Sequence, residues 1–359
     1  MEGTTIDIVI FAPLAPICGV LLFWFIKMLF IEGQKFLLEK IRSKHGAFCR
    51  FTNFLGVLFQ TVCHALGFTI TKSGISDFYI SVNYGRVAPK KDKKGIFEWI
   101  ANAFLFVGPF FIPPAMLLIC LFFFLESGFD TTTSAHLLES QYTFGGQLTA
   151  FGTNLYNFSA SFFDFLFTKL DLFHPAHLGF LLLMIILGLG IRPSYLGEKK
   201  VNKVDLLYDL RNIWQLITHK PLYVILLFVF SYLLFYTSLF SNQGYYVTLF
   251  SVFGWLSITS IASIFVSYTL LALIYFTDKI EGGKKLIPYL TIFVSYTLAR
   301  VLFVFIKTDL DLSISLAIMF LSTIFVTYMI LKPKGDKLKT KRTIKWFKGT
   351  KSEENQDER

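Results

Sequence analysis

Over 359 residues the chain is 54% hydrophobic, carries 43 Phe and has a mean hydropathy of +0.58. That balance excludes a soluble globular protein, because several apolar runs approach the ~20 residues that cross ~30 Å of hydrocarbon. The formal charge of +10 gathers in connections and in the C-terminal tail, where it suits anionic lipid headgroups rather than nucleic acid.

The N-terminal Met1 to Asp7 is acidic and leads straight into a run long enough to span, so the first segment is expected to stay attached rather than serve as a cleaved signal. Candidate spans are Val9–Ile31, Phe51–Ile70, Ile96–Leu125, Leu178–Ile191, Pro221–Phe240, Tyr246–Phe276, Ile287–Ile306 and Leu312–Leu331. They predict an all-α polytopic membrane protein of about eight transmembrane helices, with a small β-like loop after the second. Lysine and arginine place the connection Arg192–Lys220, the link Thr277–Lys285 and the tail Lys332–Lys351, which holds nine basic residues, on the cytoplasmic side. The expected location is the cell membrane, multi-pass, with the C-terminus cytoplasmic. The rule is violated around Phe51–Ile70, which has the basic stretches Glu32–Arg50 and Lys72–Lys94 on its two sides. Either this segment re-enters, or the first connection is translocated against its charge; its length favours a crossing.

After the second run, Ile75 to Val87 alternates as a strand does. Residues 135–169, rich in Phe, Tyr, Thr, Ser and Asn, suit an outer interfacial helix or loop, and 195–220 reads as a cytoplasmic amphipathic helix. The expected organisation is a membrane core over 1–125, an extracytoplasmic or interfacial loop over 126–176, a C-terminal transmembrane bundle over 177–331 and a basic tail over 332–359. Cys18, Cys49, Cys63 and Cys120 lack CxxC spacing and read as small buried hydrophobes.

Near the end of the second run stands Phe59-Gln60-Thr61-Val62-Cys63-His64-Ala65-Leu66-Gly67. A membrane metalloprotease carries His-Glu-x-x-His there, two imidazoles one helical turn apart on zinc with glutamate as general base. The strand-like Ile75–Val87, basic Lys90–Lys94 and a span with Val107-Gly108-Pro109 follow in order. Over roughly residues 50–125 this order resembles the site-2 protease family of intramembrane zinc metalloproteases. The resemblance implies a motif helix, a β-loop with a Gly-Arg-Val turn on the cytosolic side, and a helix bearing Gly-Pro. The motif is degenerate, however. Gln60 is a poor zinc donor, Thr61 is no base near neutral pH, and no Asp-Gly follows on a later span. His64 alone reads as a helix-packing residue, and neither a catalytic group, a metal nor a cofactor is expected.

Three further features remain. Gly108, Pro109, Pro113 and Pro114 will break or kink the third span. Arg300 lies inside its span, at a cost of at least ~2.5 kcal/mol on insertion scales, and is expected to face Tyr268, Ser267, Ser295 or carbonyls as a polar pocket. His174 and His177, without a carboxylate or cysteine beside them, read as surface residues. Together these features predict a multi-pass protein that is a catalytically inactive relative of intramembrane metalloproteases and binds or regulates a membrane-protein partner. The alternatives are a transporter or channel, centred on Arg300 and the broken third span, and an active protease with atypical ligands.

Overall fold

The computed structural model describes residues 5–82, 84–124, 142–191, 206–306, 308 and 310–353. Most of the expected outer loop before Tyr142, the start of the 195–220 segment, Asp309 and the tail side chains beyond Lys332 lie outside the described residues.

In a bilayer every backbone polar group must find its partner within the chain, and helices do this locally. The apolar runs accordingly become α1 (Leu14–Ile41), α2 (Gly46–Ile70), α3 (Ile96–Phe106), α4 (Gly108–Phe124), α5 (Phe144–Asp164), α6 (Pro175–Gly190), α8 (Pro221–Phe240), α9 (Tyr245–Thr277), α10 (Ile287–Ile306) and α11 (Asp311–Glu353), with the amphipathic α7 (Leu206–His219) before α8. Strands β1 (Ile75–Ile80) and β2 (Gly85–Pro89) pair antiparallel between α2 and α3, Ile80 opposite Gly85 and Ile75 opposite Pro89. Gly85-Arg86-Val87 opens the second strand rather than forming the turn.

An all-α polytopic fold is therefore correct, while the expected eight crossings are not reproduced. Among the described residues, six helices are long and apolar enough to cross, or seven if α3 and α4 form one broken span. The run Ile96–Leu125 is two helices meeting at 65° around Val107. Pro109 has no N–H for the last turn of α3, and its ring clashes with a continued helix. The expected Leu178–Ile191 falls in α6, whose 16 residues reach only ~24 Å at 1.5 Å per residue. Helix α2 is unbroken from Gly46 to Ile70, so the break sits one element later than the charge pattern suggested.

The chain divides into two compact units, residues 1–166 with 171–271, and residues 167–170 with 272–359. In the first, α1 runs parallel to α9: the Tyr246 hydroxyl donates to Pro13 O, and Gln34 Nε2 donates to Ser267 Oγ at 2.7 Å. Packing in lipid depends on close approach more than on hydrophobic transfer. Gly188 of α6 meets α9 so closely that a Cβ there would fall 2.1 Å from Ser263 O. Helix α9 buries Ser251, Ser257, Thr259, Ser260, Ser263 and Ser267. Except for Ser260, these hydroxyls return to carbonyls three or four residues earlier on α9, which makes the stripe a packing surface. Thr143 caps α5 by accepting from Gly146 N at 3.1 Å. Residues 144–164, expected as an interfacial helix or loop, thus form a helix whose Phe151, Phe158 and Phe162 are buried. Cys49 and Cys63 are buried as expected, while Cys18 is exposed.

In the second unit α10 and α11 pack as an antiparallel hairpin, and Ser313 Oγ donates to Phe167 O at 2.6 Å. Leu290, Phe293, Val301 and Phe305 of α10 are exposed, as befits side chains that lipid covers.

Candidate functional site

Helix α2 carries the degenerate motif, and its spacing sorts the residues onto two faces. Gln60 and His64 lie one turn apart on one side; Asn53, Val57 and Thr61 repeat every four residues on another. The second face holds the hairpin. Asn53 Nδ2 donates to Val82 O at 2.6 Å at its turn, and Gly85 sits directly on Thr61. A Cβ on Gly85 would fall 1.8 Å from Thr61 Oγ1 and 3.2 Å from Val57 Cγ1. The Thr61 hydroxyl is already used on its own helix, donating to Val57 O at 2.6 Å. His64 is half-buried and lies against Phe68, ring centroids 4.4 Å apart and the planes tilted by 35°. Cys63, between the faces, meets Gly108 of α4: a Cβ there would lie 3.0 Å from Cys63 Cβ. The structure thus brings the motif residues, the hairpin and Gly108 together around α2. Among the described residues, no three His, Cys, Asp or Glu gather into a group that could hold a metal ion.

Lys27, inside the expected span Val9–Ile31 but not singled out there, is the most buried ionisable group at the broken span. It is wholly buried in α1, its Nζ donating to Phe110 O at 2.8 Å and lying 4.3 Å over the Phe111 ring. The helical donor for this acceptor is absent for a covalent reason. In a helix Phe110 O would bond to the N–H of residue 114, and residue 114 is proline. A lysine from a neighbouring helix supplies the missing donor, and the aromatic face adds cation–π attraction. A lone lysine in an apolar run, read against a Pro-Pro pair elsewhere, is the signal that could have found it.

Each residue of the expected Arg300 pocket has partners within its own unit. Arg300 of α10 is ion-paired with Asp311 at the head of α11, and Ser295 Oγ donates to Thr291 O at 2.5 Å. Ser267 and Tyr268 belong to the first unit, where Ser267 accepts from Gln34 and the Tyr268 ring lies 3.8 Å from the Cβ position of Gly33. The His174 and His177 rings lie 4.4 Å apart with their planes tilted by 42°, and His177 Nδ1 accepts from Asp171 N at 3.2 Å.

At the hairpin's base, α7 docks on α3. Trp99 Nε1 donates to Leu216 O at 3.0 Å and Lys220 pairs with Glu98 at 2.8 Å. That hydrogen bond to Glu98 raises the pKa of Lys220.

These features define a multi-pass helical membrane protein with a two-stranded hairpin packed on its second helix. No protein-family profile, curated protein or solved structure matches the chain.

Proposed function

We propose that this chain is a non-enzymatic relative of the site-2 proteases, in which the motif helix and β-hairpin persist as a packed scaffold that holds or regulates a membrane-protein partner. One observation carries the reading: the position that would bear the general base faces the hairpin and is closed by Gly85, 1.8 Å from Thr61 Oγ1 on the Cβ measure. A glutamate there would extend two bonds further than threonine, into the Gly85 backbone. With Gln60 in place of a ligand imidazole and His64 packed against Phe68, the donor set falls short of the three protein ligands a catalytic zinc site uses. The connections Arg192–Lys220 and Thr277–Lys285 and the tail Lys332–Lys351 then face the cytoplasm, the tail against anionic headgroups.

Metal analysis of the purified protein tests the proposal, together with cleavage assays on membrane-spanning peptides. The expected result is less than a tenth of a zinc per chain and no cleavage, unchanged in Gln60→His/Thr61→Glu, which also loses thermal stability as the hairpin is pushed off α2. About one zinc per chain, lost in His64→Ala, would overturn the proposal in favour of a protease with atypical ligands.

A further inference from the structure

Three apolar segments end at one place in the first unit: α2 at Ile70, α3 at Ile96 and α8 at Pro221. The hairpin base joins the first two, since Lys90 N and Lys91 N donate to Gly74 O and Ser73 O at 3.1 and 3.0 Å. Trp99 joins the third through Leu216 O and through the Tyr223 ring, centroids 5.9 Å apart.

The charges at this place are unevenly used. Lys93 is committed, its Nζ donating at 2.6 Å to Thr71 O at the end of α2 and lying 4.8 Å over Phe97. Arg86 pairs with Asp77 at 3.4 Å. Lys90, Lys91 and Lys94 are exposed and make no ion pair among the described residues, with Asp92 the one acid in their run. Phe97, three residues after Lys94, and Trp214 of α7, the helix that Trp99 ties to α3, are 46% and 65% exposed, and Arg211 of α7 is exposed too. Free cations next to exposed aromatic rings, at the ends of membrane-spanning segments, match the headgroup layer. Tryptophan and tyrosine sit there with one side apolar, and lysines meet lipid phosphates.

We infer that the hairpin base, the start of α3 and α7 form a docking surface for anionic phospholipid headgroups of the bilayer. Lys90, Lys91 and Lys94 supply the charge, Lys93 locks the loop to α2, and Trp99 with Trp214 sets the depth. The inference does not depend on the motif helix being inactive.

Each lysine near such a surface contributes about five-fold in affinity, so three contribute on the order of 10²-fold. The full chain in phosphatidylcholine nanodiscs is exposed to a photoactivatable phosphatidylglycerol or phosphatidylcholine probe, and labelled peptides are mapped by mass spectrometry. The phosphatidylglycerol probe should label residues 90–99 and 211–223 at least ten-fold more than the neutral probe. Lys90→Gln/Lys91→Gln/Lys94→Gln should reduce that labelling more than ten-fold while labelling of residues 332–351 persists, and the triple arginine variant should retain it. Equal labelling by the two probes, unchanged labelling in the glutamine variant, or loss in the arginine variant as well would overturn the inference. So would an acidic protein segment that displaces the lipid probe from the parent.

Discussion

Asp311 has two tasks at the head of α11. Its carboxylate accepts from Arg300, and Oδ1 accepts from Leu312 N at 2.8 Å, one of the orphan donors of the first helical turn. Arg300→Leu removes a partly exposed ion pair, at about 0–1 kcal/mol. Asp311→Ala removes the helix-terminal acceptor as well and leaves a guanidinium inside its span, so it should cost about 1–2 kcal/mol more. Thermal unfolding of the two variants in detergent should rank Asp311→Ala below Arg300→Leu; the reverse order would show that the pair is incidental. The expected span Leu312–Leu331 began one residue later and so left Asp311 in the connection. Helix α11 in fact begins at Asp311, and a long arginine side chain reaches from inside its span toward the interface where that carboxylate stands. Gln60, Thr61 and His64 were legible as a degenerate motif from their spacing alone. Gly85 was not legible as the residue that closes Thr61, because a contact 24 positions away is set by how the hairpin lies on α2.

At the scale of elements, hydropathy located the spans well where a helix is continuous. Pro221–Phe240 and Ile287–Ile306 emerge with the bounds expected of them. It failed where prolines intervene, because α3 and α4 have the same apolar character on both sides of Val107 and only backbone hydrogen bonding separates them. The Pro-Pro pair of α4 also explains why Lys27 is tolerated in α1. Lys27→Met keeps most of the volume but removes the Lys27 hydrogen bond to Phe110 O, which should cost about 1–3 kcal/mol. Pro114→Ala restores an N–H four residues beyond Phe110, so in the Lys27→Met background it should recover stability, while in the parent it should gain little. Denaturation midpoints of the four proteins check this. A Lys27→Met variant as stable as the parent, or no rescue by Pro114→Ala, would show that the lysine does not support the broken span.

For the whole molecule, composition alone established a polytopic membrane protein, and the order of motif helix, hairpin and Gly-Pro helix survives as a spatial cluster on α2. The number of crossings did not follow from the sequence, because α6 is apolar yet too short and the third run is bent. The account of function rests on α2 being a closed scaffold, with the hairpin seated on the face where a catalytic base would stand. A double-mutant cycle on Thr61 and Gly85, measured by thermal unfolding, tests this most directly. Gly85→Ala puts a methyl 1.8 Å from Thr61 Oγ1 and should destabilise by about 1–3 kcal/mol. Thr61→Ala removes that oxygen, so the double variant should regain most of the loss, giving a coupling of at least ~1 kcal/mol. A neutral Gly85→Ala, or strictly additive effects, would mean that the hairpin does not close α2 and that the base position is open to water.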